Sequence, residues 1–261
     1  MKKVILALIT ASVLLGCKDK IDLFDFPPYQ TDRKPLVVLL SAVWSEYAGE
    51  SGLPVFWGAV SDSFGAPVVP LVAHASTVGD PFYSLAASQF FSLYEAELFP
   101  ALGLNATGFQ YRVEDWLLAT RESLIDLSSG QPLPARPPLV LAIAKRVVDR
   151  DLQIKVRMRM EDDFVNVPMH LAVYVTEDEV AMGQEGQPTT INHRYVLRGA
   201  ATPGAWGIPL GSGNFSKGQV LEYEMSFPIN PFMNANQLFV NAVVYRMENE
   251  QPVEVMNANF R

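Results

Sequence analysis

The sequence predicts an α/β domain followed by an all-β domain. In the first half, apolar runs typical of buried strands alternate with helix-like stretches, which is the order of α/β proteins. In the second half, strand-like runs follow one another with turn signals between them and without a convincing helix. A stretch rich in proline and glycine, residues 128–138, separates the two patterns and marks a domain boundary.

The first half begins with a strand over residues 36–40, an unbroken apolar run typical of a strand buried on both faces. A helix is predicted over 50–63, with Pro54 in its first turn, where a missing N–H is tolerated. A second apolar strand covers 67–74.

Asp80 and Pro81 then predict an N-cap and the first residue of a helix that runs towards Leu98. A strand over 109–113 and a helix over 114–127 complete this half of the chain.

The second half predicts about seven strands of an antiparallel β-sandwich. Residues 152–160 alternate apolar and cationic side chains, the period of a strand with one face in solvent. The gap over 200–217 holds Trp206 among glycines and predicts a long loop. The predicted strands are 139–148, 152–160, 169–176, 191–197, 220–227, 238–247 and 253–260.

The composition is that of a globular protein without a nucleic-acid partner. The 261 residues are 49% hydrophobic and carry a formal net charge of -8, and no basic patch is present. Cys17 is the single cysteine, so the chain forms no internal disulfide and its cores alone must hold it together.

The first 17 residues look like a bacterial lipoprotein signal. Lys2 and Lys3 precede an apolar run that ends at Gly16 and Cys17, and this run is too short to span a bilayer as a helix. Residues 1–16 are then a signal peptide, Cys17 carries lipid, and 17–34 form a membrane tether. Lys18 follows the lipidated cysteine instead of an aspartate that favours the inner membrane, which indicates the outer membrane, with the protein facing the cell surface or the periplasm.

Several motifs resemble those of the outer-membrane-protein-28-related lipoproteins of Bacteroidetes. Their order along the chain is persuasive, and together they cover nearly the whole mature chain. They are the segment around Cys17, Val72-Ala73-His74 with Asp80-Pro81-Phe82, Gly103 through Thr107-Gly108 to Arg112, Tyr174 to Asp178, His193 to Arg198, and Asn257-Ala258. The resemblance implies a thioredoxin-like domain at 35–127, a linker at 128–138 and an immunoglobulin-like β-sandwich at 139–261.

Two departures indicate that this thioredoxin-like domain is degenerate and inactive in redox chemistry. The stretch 43–52, where such folds carry a C-x-x-C pair, has no cysteine. Ala106 stands where the fold normally has a cis-proline, and a cis bond before a residue other than proline costs about 2.5–4 kcal/mol. We therefore expect both redox features to be absent.

The remodelled loop is the predicted place for a small-ligand site, since ligands collect at the carboxyl ends of strands in open sheets. Trp44 and Tyr47 offer stacking faces, and Glu46 and Glu50 offer acceptors. In the alternative, Trp44 fills the space of the lost disulfide. Trp206, in its glycine-rich loop, is the other candidate for contact with a ligand.

Metal binding has weak support in the sequence. His74 with Asp80 could supply two ligands, but His170 and His193 lie in the other predicted domain. We expect His74 to bond instead to the loop around Gly79. The acidic pairs and triplets at 162–163 and 177–179 leave calcium binding open, although solvated acidic turns are commoner. No cofactor is predicted.

The sequence therefore predicts a non-enzymatic, lipid-anchored envelope protein with a binding or adhesion role, whose ligand is a protein or a glycan. Serines, carboxylates and glycines form no recognisable catalytic or phosphate-binding motif. An enzyme that uses the remodelled cleft, and a structural subunit of an outer-membrane complex, remain alternatives. A perturbed carboxylate in the cleft would favour the first, and an exposed apolar patch the second.

Lipidation of Cys17 has a direct test. The wild-type protein should sediment with membranes, whereas the Cys17→Ser variant should be recovered in the soluble fraction, because acyl chains supply about 0.8 kcal/mol per buried CH₂. Immunoblotting of the two fractions measures the partition. Wild-type protein in the soluble periplasmic fraction would contradict the anchor.

Overall fold

The computed structural model describes residues 24–62, 68–74, 79–96, 99–106 and 136–261, and over these residues the protein is mostly β-sheet with few helices. Two α-helices are α1 (Leu53–Asp62) and α2 (Leu85–Leu93). The strands are β1 (Leu36–Ser41), β2 (Val69–His74), β3 (Ala101–Leu104), β4 (Leu139–Val148), β5 (Asp151–Met160), β6 (Met169–Glu177), β7 (Val180–Met182), β8 (Ile191–His193), β9 (Val196–Ala200), β10 (Ile208–Pro209), β11 (Val220–Pro228), β12 (Leu238–Glu248) and β13 (Gln251–Phe260).

One large sheet runs through the molecule in the order β13-β12-β6-β9-β2-β1-β3, with β10 paired to β6. The strands β1 and β2 are parallel, whereas β3 is antiparallel to β1. A second, three-stranded antiparallel sheet has the order β11-β5-β4, and β7 with β8 forms a separate hairpin. The second half is thus a two-sheet sandwich whose larger sheet continues into the first half.

The sequence predicts two domains, at 35–127 and 139–261, and the structure joins strands of both in one sheet. Val72 of β2 pairs with Val196 of β9, and the Val72 N–H donates to the Tyr195 carbonyl at 2.8 Å. A strand at the edge of a sheet leaves a row of unpaired N–H and C=O groups, and β9 satisfies part of that row on β2. Residues 107–135, which hold most of the predicted boundary at 128–138 and the segments predicted at 109–113 and 114–127, lie outside the described residues.

Among the described residues, three apolar cores hold the layers together. The largest lies between the three-stranded sheet and the facing side of β6 and β12, with Val156, Met158, Val173 and Val240 among its fully buried members. On the opposite face of the large sheet, Phe90 of α2 packs against strands of both halves, which joins them. The third core lies between α1 and the β1–β2 pair.

The two helices differ in detail from the predicted ones. α2 begins at Leu85, not after Asp80, because Ser84 is the N-cap and its side chain accepts a hydrogen bond from the Ala87 N–H. A π-helical turn over Ala48–Gly52 leads into α1, and Pro54 is the second residue of α1, in its first turn.

The seven strands predicted in the second half are all present, and one of them is divided. Residues 191–197 form β8 and the start of β9, separated at Tyr195, whose φ of 56° interrupts an extended strand. The short strand β3 was not predicted, because four residues that include Gly103 give no clear periodicity.

Residues 24–34, the second part of the predicted tether, pack against the sandwich. The Gln30 N–H donates to the Leu141 carbonyl at 2.9 Å, and the Lys34 ammonium donates to the Asn259 side chain at 3.1 Å. Cys17 and the rest of the predicted signal lie outside the described residues. Within the part that the structure describes, no helix is long and apolar enough to cross a membrane.

Candidate functional site

The Asp80 carboxylate organises the carboxyl-terminal end of the β1–β2 pair. It accepts hydrogen bonds from the Val43 N–H at 3.0 Å, from the Phe82 N–H at 2.9 Å and from His74 Nδ1 at 3.1 Å. Burial alone would raise the pKa of Asp80, but His74 and the two N–H groups lower that pKa below its usual value. The ionised carboxylate therefore ties the loop after β1 to the end of β2.

A segment from the second half covers this loop. The Gln184 side-chain amide donates to the carbonyls of Ala42 at 3.1 Å and Ser45 at 2.9 Å. The Glu185 N–H donates to the Val43 carbonyl at 2.8 Å, and the Gln187 side chain donates to the Gly49 carbonyl at 2.6 Å. Residues 183–190, the connection between β7 and β8, are called the hairpin loop below.

Two glycines permit this close approach. A Cβ on Gly49 would collide with the Glu185 carbonyl, and a Cβ on Gly186 would collide with the Glu46 carbonyl. Gly186 also has a φ of +81°, a region that side chains disfavour. The backbones of the two loops are therefore in direct contact.

Trp44 lines an open depression of about 480 Å³ between the two loops. Its side chain is 45% exposed and meets the Phe99 ring edge-on at 5.5 Å. A residue that filled the space of a lost disulfide would be buried, so that alternative is wrong. The other walls belong to Val43 and the hairpin loop, chiefly Gln187, Thr189 and Thr190.

A cis peptide bond joins Phe99 to Pro100, immediately before β3. The Phe99 carbonyl accepts from the Ser45 hydroxyl at 3.5 Å, and the Pro100 ring lies where a Cβ on Gly52 would be. Ala106 is not near this loop. Because β3 is antiparallel to β1, Ala101 pairs with Leu40, and Ala106 follows at the opposite end of β1.

The other predicted ligand contacts divide between two surfaces. Glu46 and Tyr47 are exposed beside the depression and do not line it, and Glu50 is exposed on the same loop. Trp206 lines a different depression, of about 720 Å³, with His170 and Met247. Its ring also packs against Phe90 at 5.3 Å, so Trp206 is partly a core residue.

His74 of the first half and His193 of the second half lie close together, beside Trp57. The His74 and His193 ring centroids are 5.8 Å apart, Phe82 lies 4.9 Å from His193, and Trp57 lies 6.3 Å from it. The sequence placed His193 away from His74 because nothing local indicated that β9 would pair with β2. His74 bonds to Asp80 rather than to the loop around Gly79.

This histidine cluster has buried polar atoms without hydrogen-bond partners within the described structure. They are Ser41 Oγ, Trp57 Nε1, His74 Nε2 and both ring nitrogens of His193. Each unsatisfied buried group costs about 1–3 kcal/mol, and a charge there costs more. Burial, followed by the charge of His74, lowers the pKa of His193 to about 4, although the charge of Asp80 acts in the opposite direction.

The residues considered for metals are otherwise engaged. Among the described residues, no group of three or more histidines, cysteines or carboxylates could hold a metal ion. Glu177 pairs with Arg198 at 2.6 Å, Asp178 pairs with Arg194 at 3.3 Å, and Asp163 accepts from the Lys217 N–H. Glu177 and Asp178 therefore neutralise cations of the protein, whereas Asp163 bonds to a backbone N–H.

Comparison with known proteins identifies a shared fold. No family model matches the chain, and no curated protein sequence matches it. The structure is similar to HBP35 of Porphyromonas gingivalis, with a TM-score of 0.66 at 12% identity over 90% of this chain and 76% of that one. At 12% identity this match shows that the two chains share a fold, and HBP35, like the lipoproteins that the sequence resembles, comes from a member of the Bacteroidetes.

Two further solved structures match about half of the chain. A domain of the outer membrane lipoprotein Omp28 from Porphyromonas gingivalis has a TM-score of 0.33 at 16% identity, over 48% of this chain and 86% of that one. Chicken MD-1 complexed with lipid IVa has a TM-score of 0.20 at 13% identity, over 47% of this chain and 88% of that one. These two TM-scores are too low to support a shared fold.

The low pKa of His193 predicts a loss of stability in acid. The folded-state pKa of about 4 lies below the ordinary value of 6.5, so the neutral ring stabilises the fold above pH 6.5. That contribution, roughly 3 kcal/mol at 1.36 kcal/mol per pH unit, should disappear as the pH falls from about 6.5 to about 4.

Urea unfolding of the wild type and of His193→Phe between pH 7 and pH 4 measures this loss. The variant keeps an aromatic ring beside Phe82 and should lose less free energy of unfolding on acidification. His170→Phe, a partly exposed histidine in the other depression, is the matched control and should follow the wild type. Equal losses in all three proteins would contradict the prediction.

Proposed function

We propose that this chain is a lipid-anchored protein of the outer membrane or cell surface that binds a ligand and catalyses no reaction. The lipoprotein-like signal ending at Cys17 supports the location. The observation that carries the binding role is the half-exposed Trp44 ring, held in an open depression by a loop from the other half of the chain.

The layout that supports this proposal is a degenerate thioredoxin-like domain joined to an immunoglobulin-like sandwich. The parallel pair of β1 and β2, with antiparallel β3 beside β1, supports the first assignment. Two packed antiparallel sheets support the second. With Cys17 as the single cysteine, the chain has no thiol pair for disulfide exchange, so the domain serves as a scaffold.

The chemistry of the depression favours a glycan as the ligand. An exposed indole face can stack on the C–H face of a sugar ring, and aromatic pockets with a few polar groups are typical of small-ligand sites. Gln187, Thr189, Thr190 and Glu185 place amide, hydroxyl and carboxylate groups around Trp44. The buried side-chain oxygen of Gln184 has no partner among the described residues.

The enzymatic alternative has less support. Asp80 is the perturbed carboxylate of the cleft, but Val43, Phe82 and His74 already donate to its two oxygens. Its side chain is fully buried. A carboxylate in that state holds the loop in place and offers no free oxygen to a substrate.

Binding to an oligosaccharide array tests this function. Soluble protein that begins at Lys18 should bind one or more glycans, and Trp44→Ala should weaken that binding by tenfold or more, about 1.4 kcal/mol, because the stacking face is lost. Phe232→Ala, which removes an exposed aromatic ring from another surface, is the matched control. Equal binding by both variants, or binding by wild type to proteins alone, would contradict the glycan site.

Tyr47 tests how far the site extends. Its side chain is 51% exposed, so Tyr47→Ala should change the free energy of unfolding by no more than about 0.5 kcal/mol. If the ligand extends beyond the depression, the variant should weaken binding to the glycan found on the array. Thermal melting and titration calorimetry give the two values. A lower melting temperature with unchanged affinity would assign Tyr47 to packing.

A further inference from the structure

The segment that follows the predicted anchor lies flat on the three-stranded sheet. Residues 24–30, called the strap here, place aromatic rings against cations of that sheet. Tyr29 lies 4.7 Å from the Arg159 guanidinium, and Phe26 lies 4.0 Å from that of Arg157. Phe24 contacts Arg146 at 4.6 Å and Lys155 at 5.2 Å. Contacts of this kind contribute about 0.5–2 kcal/mol each, so the strap is held along its length.

The strap has a direction. From Tyr29 to Phe24 its partners on β5 descend from Arg159 through Arg157 to Lys155, towards the start of the strand at Asp151. Followed towards the N-terminus, the strap therefore leads to the turn between β4 and β5. At about 3.3 Å per residue, that turn lies roughly 13 Å beyond Lys155.

The end of the sandwich at this turn carries exposed apolar side chains. Val147 and Val148 are 44% and 41% exposed, and Phe232 is 92% exposed. Arg150 joins the two loops, because its Nε donates to the Ile229 carbonyl and its own carbonyl accepts from the Ile229 N–H. Residues 147–151 and 229–233 are called the tip. An almost fully exposed phenylalanine on an ordered loop is unusual for a soluble surface.

We propose that the tip contacts the lipid bilayer in which the acylated Cys17 is anchored. This inference rests on the lipid anchor of the proposed function. Seven residue steps join Cys17 to Phe24, and even a fully extended chain spans at most about 25 Å over that number. The strap is directed at the tip, so the bilayer lies within reach of Phe232 and the two valines.

Apolar insertion, and not charge, drives this contact. Within the tip, the one cation Arg150 stands beside Asp149 and Asp151, so the tip has no positive charge to attract anionic lipid. Contact should therefore depend little on anionic lipid. The loop after the far end of β5, which carries the 75% exposed Val165, lies about 30 Å from the tip because β5 is ten residues long. That end should face away from the membrane.

Depth-dependent quenching tests the orientation. The full lipidated chain has no free thiol once Cys17 is acylated, so Phe232→Cys can be labelled with bimane at a single position. Val165→Cys, an exposed apolar position at the far end, is the matched control. Both are reconstituted in vesicles of phosphatidylethanolamine and phosphatidylcholine with brominated acyl chains. The label at 232 should be quenched at least twofold, and the label at 165 should not change.

A third variant tests the strap. Phe26→Ala in the chain labelled at 232 should reduce the quenching while the protein stays on the vesicles, because a loosened strap no longer holds the tip against the lipid. Equal quenching at 232 and 165 on vesicle-bound protein would show that the tip does not contact the bilayer, while the lipid anchor would still stand. Protein that remains in solution would overturn the anchor, and with it this inference.

Discussion

The Asp80 carboxylate is the constraint on which the candidate site depends. Three donors converge on it from the loop after β1, the end of β2 and the turn before α2. Charge-assisted hydrogen bonds of this kind are worth about 1.5–3 kcal/mol each, and losing the carboxylate would leave buried donors unpaired. The bond from the Val43 N–H to Asp80 fixes the backbone of Val43, and it therefore also fixes the position of Trp44, the next residue.

The site is composite, since neither half of the chain builds it alone. Trp44 comes from the loop after β1, whereas most of the other walls come from the hairpin loop about 140 residues later. Gln184 and Glu185 bond to three carbonyls of the first loop, and Gly49 and Gly186 allow the backbones to touch. The pairing of Val72 with Val196 and the contact of Phe90 with Tyr174 keep the halves in register.

Local patterns predicted the strands of the second half and the apolar runs of β1 and β2, whereas the sequence left open whether Trp44 is exposed on its loop or packed in the space of a lost disulfide. Period-two alternation and long apolar runs are local signals, which explains that success. The sequence predicts Asp80 as a helix N-cap, whereas the structure places it in the turn before α2. An Asp-Pro pair is compatible with either position, so the sequence alone does not distinguish them. The meeting of His193 with His74, and the hairpin loop over Val43, depend on contacts distant in sequence, which no local pattern encodes.

The most direct test of this account is the response of the four tryptophan indoles to a glycan identified on the array. In protein labelled with ¹⁵N-tryptophan, the Trp44 indole N–H signal should shift on titration, whereas that of Trp57, a residue of α1 whose indole nitrogen is buried, should not. Gln184→Ala should abolish the shift, because the hairpin loop then loses its bonds to Ala42 and Ser45. A glycan that binds while shifting Trp206 and leaving Trp44 unchanged would contradict the account.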